Sequence, residues 1–159
     1  MKVGFYSGSF DPFTNGHLHV VKQALKLFDK VVIGIATNSS KKRRFPKELM
    51  KDTIEKVLER ENLSSRVSVV CFENLTVDVA EQNNTLFLVR GIRNGADYEF
   101  EENISLLNEK VGNLDTIYFR AGDLGFISST MVMELFKNGR DVSEYLPPEI
   151  LEAITNPNN

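Results

Sequence analysis

Three consecutive pieces near the start decide the fold: Lys2-Val3-Gly4-Phe5-Tyr6, then Gly8-Ser9-Phe10-Asp11-Pro12-Phe13-Thr14-Asn15-Gly16-His17, then the set Leu18, Val21, Leu25 and Phe28. The first is a short apolar run that suits a buried strand. The second gathers glycine, serine, aspartate and proline, the residues that turn a chain. The last four fall at i, i+3, i+7 and i+10, one stripe of a helix from about Asn15 to Phe28. Strand, glycine-bearing turn and amphipathic helix in that order open a β-α-β unit.

The same alternation continues outward. Further apolar runs occur at Lys30–Ala36, Val67–Phe72, Thr85–Val89 and Thr116–Phe119, with helical spacing between them. Lys51, Ile54, Val57, Leu58 and Glu61 describe an amphipathic helix after Pro46, and a short helix falls near Val77–Gln82. Asp97 is placed to cap a helix carrying Phe100, Ile104, Leu107 and Val111. Ser128 or Ser129 caps another through Val132, Leu135 and Phe136, which Gly139 ends. Tyr145-Leu146-Pro147-Pro148 then reads as a turn into a short docking helix. Five β-α units predict an α/β fold, a doubly wound five-stranded parallel sheet in the order 3-2-1-4-5, as a single domain over residues 1–159. Ligands of such sheets bind where the winding reverses, here between the first and fourth strands. The residues that follow Tyr6 and Val89 are therefore the ones to inspect.

Composition narrows the partners. The 159 residues are 42% apolar and 26% charged with a net charge of −3, a globular balance that argues against nucleic acid as a partner. No apolar run approaches the roughly 20 residues of a membrane helix. The first residues lack the long apolar stretch of a signal peptide, so the expectation is a cytoplasmic protein with no membrane partner. Cys71 is the only cysteine, which excludes an internal disulfide or a thiolate zinc cluster. Within its apolar run it is expected to be a small buried hydrophobe.

Anion chemistry gathers at the predicted crevice. Gly8 lets backbone approach a ligand. Thr14 or Asn15 caps the first helix, leaving first-turn amides and the positive dipole end toward an anion. His17 lies in that turn, where a ring N–H could bond a phosphate oxygen, whereas His19 points to another face. Arg90 ends the fourth strand with a planar fork suited to phosphate. Ser128, Ser129 and Thr130 follow the fifth strand and bring hydroxyls and amides to one helix end. Lys41-Lys42-Arg43-Arg44 follows the second strand, either as a solvated cluster or as cations for phosphoryl oxygens. No Ser-His-Asp or Cys-His set suggests a covalent intermediate.

Gly8-Ser9-Phe10-Asp11-Pro12 with Thr14-Asn15-Gly16-His17 resembles the signature of the bacterial phosphopantetheine adenylyltransferase family, nucleotidyltransferases that share a (His/Thr)-x-Gly-His motif. Related cytidylyltransferases usually carry His first, so Thr14 favours the adenylyltransferase branch. Arg90-Gly91-Ile92-Arg93 with Asp97-Tyr98-Glu99-Phe100-Glu101 is similar to a second family stretch, and Phe126-Ile127-Ser128-Ser129-Thr130 to a third. The resemblance implies a Rossmann-like nucleotidyltransferase fold and transfer of the adenylyl group of ATP to 4'-phosphopantetheine. It implies catalytic roles for His17, Lys41, Ser9 and Arg90, with Lys42 the neighbour most easily confused with Lys41. ATP contacts are implied at Ser9, Phe10, His17, Gly91, Ile92, Arg93 and Glu101. A second group of ATP contacts is implied at Leu124, Gly125, Phe126, Ile127, Ser128, Ser129 and Thr130. Ser9, Lys41, Leu75, Thr76 and Arg90 would receive the acceptor. Mg2+ carried with ATP, a homohexamer and feedback binding of coenzyme A are implied likewise. Three positions depart from the pattern: Ser9 stands where Thr is commoner, and Met50 and Met133 where the family often has basic residues.

Overall fold

A computed structural model describes residues 1–158. Five strands, β1 (Val3–Gly8), β2 (Lys30–Ala36), β3 (Val67–Phe72), β4 (Phe87–Ile92) and β5 (Asp115–Arg120), form one parallel sheet in the order β3-β2-β1-β4-β5. Between and after them run α1 (Asn15–Ala24), α2 (Lys47–Arg60), α3 (Thr76–Gln82), α4 (Gly95–Gly112), α5 (Ser129–Lys137) and α6 (Pro148–Thr155). The predicted order of strands is the observed one.

Alternation along the strands splits the interior into two apolar layers, because successive side chains leave a sheet on opposite faces. Tyr6, Val31, Ile33, Ile35, Val67, Val69 and Val89 pack with buried residues of α1, α2, α5 and α6. Val3, Phe5, Val32, Phe72 and Leu88 pack with Val77, Val79 and Ala80 of α3. Each such side chain contributes roughly 1.5–3 kcal/mol by leaving water. Packing on the second face is tight at Gly34, where a Cβ would lie 2.4 Å from Phe5 Cζ and 2.8 Å from Phe72 Cε1.

The ladder itself makes the crevice. β1 and β4 pair only from Gly4↔Phe87 to Tyr6↔Val89. Beyond that point β1 continues against β2 to Gly8↔Ile35, and β4 against β5 to Ile92↔Arg120. The central strands thus part where their outer partners still hold them. β1 and β4 accordingly reach past the predicted ends at Tyr6 and Val89, so Gly8, Arg90 and Gly91 are strand residues.

Two local expectations change. Asn94, not Asp97, caps α4: Asn94 is extended and its side chain accepts the Asp97 N–H at 3.0 Å. Asp97 sits in the first turn instead, where its carboxylate takes Arg93. The predicted stripe of α4 is not buried within this chain; Phe100, Leu107 and Val111 are 66%, 62% and 59% exposed. α1 also ends at Ala24, and Leu25 and Phe28 remain buried in the turn that follows. Arg66 satisfies the carbonyls of that turn, donating to Leu25 and Phe28 at 2.8 Å and to Asp29 at 3.0 Å. Cys71 is half-buried rather than fully buried, and burial pushes its thiol pKa up, which disfavours the thiolate.

Candidate active site

A cavity of about 340 Å³ opens where β1 and β4 separate. Its walls come from β1 and the turn after it, the first turn of α1, the end of β4, the start of α4 and the residues leading into α5.

The turn after β1 is held by aromatic packing. Phe10 has a left-handed backbone, φ 45°, although it is not glycine. Such a conformation persists only where surroundings fix it. Here the Phe10 ring is 2% exposed and packs against Tyr6 at 5.1 Å, His17 at 4.9 Å and Phe13 at 5.8 Å. Thr14 then caps α1, resolving the choice between Thr14 and Asn15. Its hydroxyl accepts the His17 N–H at 3.3 Å, and its own N–H donates to His17 Nδ1 at 3.0 Å.

That reciprocal cap settles the state of the imidazole. Nδ1 accepts, so the ring proton of the neutral form sits on Nε2. Burial, with a smaller contribution from the Arg93 charge, pushes His17 down to about 4 from its usual 6.5. At neutral pH the ring is an uncharged N–H donor lining the cavity.

β4 supplies the arginine fork. Arg90 Nε donates to Glu101 at 2.6 Å and Nη2 to the other carboxylate oxygen at 3.2 Å, while Nη1 reaches the carbonyl of Ser7. Arg93 makes a similar pair with Asp97, at 2.8 and 3.0 Å. The Arg93 charge and hydrogen bonds hold Asp97 below the usual carboxylate range. Both arginines therefore face the crevice already oriented by carboxylates of α4.

α5 closes the third side. Ser128 caps it, accepting the Met131 N–H at 3.1 Å, and Ser129 donates its hydroxyl to the Pro12 carbonyl at 2.7 Å. Both hydroxyls are thus committed within the protein, more than the sequence suggested. The amides of Ser129 and Thr130 have no intrahelical partner at this helix start and point the positive dipole end at the cavity.

Of the residues singled out from sequence, Ser9, Phe10, His17, Arg90, Gly91, Arg93, Glu101, Leu124, Ile127, Ser128 and Ser129 line one cavity. Ile92, Gly125, Phe126, Thr130, Leu75, Thr76 and Lys41 do not line it. Lys41 and Lys42 are both exposed in the loop after β2, and no ion pair engages either among the described residues. Met50 and Met133 are core side chains, 0% and 5% exposed, and neither reaches the crevice.

Sequence reasoning missed the anchor of that loop. The Asp11 carboxylate, in the turn after β1, accepts the backbone N–H of Arg44 at 2.7 Å and of Phe45 at 2.9 Å. Arg44 donates back to the Asp11 carbonyl at 2.9 Å and to the Thr130 hydroxyl at 3.3 Å, and Arg43 to the Ser9 carbonyl at 2.8 Å. One buried carboxylate therefore joins the turn after β1 to the basic loop after β2. The charge run Lys41–Arg44 was the visible signal, but nothing in its spacing names Asp11 as its partner.

Residues 5–135 match the family model described as cytidylyltransferase-like, a class of nucleotide-handling transferases to which this sheet and crevice conform. The chain is 44% identical over 148 residues to a phosphopantetheine adenylyltransferase of Phocaeicola vulgatus, covering 92% of this chain and 96% of that one. It is 40% identical over 157 residues to the protein of the same name from Streptococcus pneumoniae, covering 98% and 96%. The chain belongs to the phosphopantetheine adenylyltransferase family. Among solved structures, a bifunctional NMN adenylyltransferase/ADP ribose pyrophosphatase from Francisella tularensis superposes with a TM-score of 0.74 at 18% identity, covering 97% of this chain and 50% of that one. A putative nicotinate-nucleotide adenylyltransferase from Vibrio parahaemolyticus gives 0.72 at 19%, covering 98% and 93%. At those identities the likeness concerns the fold.

Proposed function

We propose that this protein transfers the adenylyl group of ATP to 4'-phosphopantetheine, giving dephospho-coenzyme A and pyrophosphate. The observation that carries the reading is the convergence of a neutral imidazole donor, an oriented arginine fork and a helix amide end on one crevice between β1 and β4.

A phosphate oxygen of the acceptor attacks the α-phosphorus of ATP, and the bond from that phosphorus to the β-bridging oxygen breaks. Pyrophosphate leaves with the electron pair. The attacking oxygen is already anionic at neutral pH, so no general base is needed. The protein aligns two anions and stabilises charge as it spreads over the phosphoryl oxygens. In this scheme His17 donates from Nε2 to an α-phosphate oxygen, and Arg90 receives the acceptor phosphate through the N–H groups that Glu101 and Ser7 leave free. Ser9 offers its hydroxyl at the crevice mouth, and the α5 amides hold the departing end. Lys41 follows the developing charge from the loop that Asp11 anchors. Leu75 and Thr76 would guide the pantetheine arm beyond the β3 end. Mg2+, carried on ATP oxygens, would neutralise part of the polyphosphate charge; Asp97 and Glu101, the cavity carboxylates, are already taken by arginines.

The exposed apolar face of α4 supports self-association, which fits a homohexamer, since apolar patches of this kind mark interaction sites. Coenzyme A shares the pantetheine arm and the nucleotide of the product, so it would compete for the same crevice as a feedback ligand. We place the reaction in the cytoplasm, where ATP is supplied. No helix among the described residues is long and apolar enough to cross a membrane.

The test is an acceptor panel with ATP and magnesium, reading pyrophosphate and product mass. Dephospho-coenzyme A formed from phosphopantetheine is the expected result. Pyrophosphate released only with nicotinate mononucleotide, or only with CTP in place of ATP, would overturn the assignment.

A further inference from the structure

We infer that the Tyr6 hydroxyl is a recognition group for the sugar of the bound nucleotide, and so a determinant of preference for ribonucleotides over deoxynucleotides. The inference rests on the adenylyl-transfer reading and adds a residue to it.

Tyr6 is the last β1 residue paired with β4, at the point where the two strands begin to part. Its side chain is 5% exposed and its ring packs edge-on against Phe10 at 5.1 Å and His17 at 6.4 Å. The residue lines the cavity, yet no hydrogen bond among the described residues reaches its hydroxyl. Buried phenols ordinarily find a hydrogen-bond partner, and here the described residues supply none. A lone phenol at the base of a ligand crevice is therefore placed for a partner that the ligand brings.

The surroundings say which part of the ligand that is. A Cβ on Gly91 would lie 3.9 Å from the Tyr6 hydroxyl and 2.9 Å from Val20 Cγ2. The hydroxyl, Val20 and the bare glycine thus form one smooth surface with little room for an added side chain. Val20 offers only hydrocarbon and Gly91 only backbone, which suits a sugar ring better than a charged phosphate. The phenol lies in the field of Arg90 and Glu101, and burial raises its pKa, so it remains a protonated donor. A ribose hydroxyl is both acceptor and donor: it can accept from Tyr6 and donate to the Glu101 carboxylate. A phosphate could accept from Tyr6 but, as an anion with no proton to give, could not donate to the Glu101 carboxylate.

Tyr6→Phe deletes only the oxygen and leaves the ring packing in place, so thermal unfolding without ligand should be unchanged. Titration calorimetry with ATP, 2'-deoxy-ATP and 3'-deoxy-ATP, on the parent protein and on Tyr6→Phe, tests the inference. The parent should bind ATP about five- to tenfold tighter than one of the two deoxy analogues, and Tyr6→Phe should abolish that preference. Equal ATP affinity of parent and variant would overturn the role of Tyr6. So would a loss in the variant that is the same for all three nucleotides. If the parent protein bound none of the three, the adenylyl-transfer reading itself would fail, a result distinct from either.

Discussion

The capped imidazole of His17 makes stability depend on pH in a calculable way. In the unfolded chain the ring takes a proton near pH 6.5, while in the native state it resists until about pH 4. Between those values the unfolded state binds more protons, so native stability is fully present above pH 6.5 and falls as the pH drops toward 4. At about 1.4 kcal/mol per pKa unit the loss between pH 7 and pH 5 is at most about 2 kcal/mol, and water in the crevice trims it to about 1–2 kcal/mol. His17→Asn retains an oxygen able to accept the Thr14 N–H and does not titrate in this range. Urea unfolding of both proteins at pH 7 and pH 5 isolates the histidine, because every other titration is shared. The parent should lose about 1–2 kcal/mol more than the variant, and nitrogen NMR should show a proton on Nε2 and none on Nδ1 throughout. Equal losses in the two proteins, or an imidazole of His17 that titrates between pH 6 and 7, would refute the reasoning.

Asp11→Asn should lower stability by about 2–4 kcal/mol, because an amide presents one acceptor where two backbone N–H groups and Arg43 now meet a carboxylate; an unchanged urea midpoint would contradict this. Arg66→Ala leaves three carbonyls of the α1–β2 turn without their donor and should lower Tm by about 3–8 °C by calorimetry. Gly34→Ala places a methyl among Phe5 and Phe72 and should cost about 1–3 kcal/mol in urea unfolding, with little change in nucleotide binding. Arg90→Lys replaces a fork by a single ammonium and should raise KM for phosphopantetheine about tenfold or more, with a smaller change for ATP; equal shifts for both substrates would remove Arg90 from the acceptor site.

The sheet was legible because parallel strands buried on both faces print as unbroken apolar runs. Lys30–Ala36 and Val67–Phe72 coincide with β2 and β3 to the residue. The crevice was legible because strand order alone puts the reversal between β1 and β4. Strand ends at the crevice were less so: Gly8 and Gly91 look like loop residues, and only pairing with the outer strands keeps them extended. The exposure of α4 had no local trace, since Phe100, Ile104, Leu107 and Val111 have the spacing of a buried stripe whatever covers it. Contacts such as Asp11 to Arg44, 33 positions apart, leave no periodic mark in the sequence. His17, by contrast, was visible from its place in a capped first turn; Thr14 fixes its tautomer and burial keeps it neutral.

The pairing of Arg90 with Glu101 bears on discrimination. A guanidinium that already holds a carboxylate is a poor collector of stray chloride or sulfate, since an incomer must outcompete or share with a tethered rival. What is rewarded is an anion whose remaining atoms find further seats nearby. On the proposed reading, selectivity at this edge of the sheet would arise from multipoint fit, and small ionic bystanders would meet a guanidinium that already holds a carboxylate.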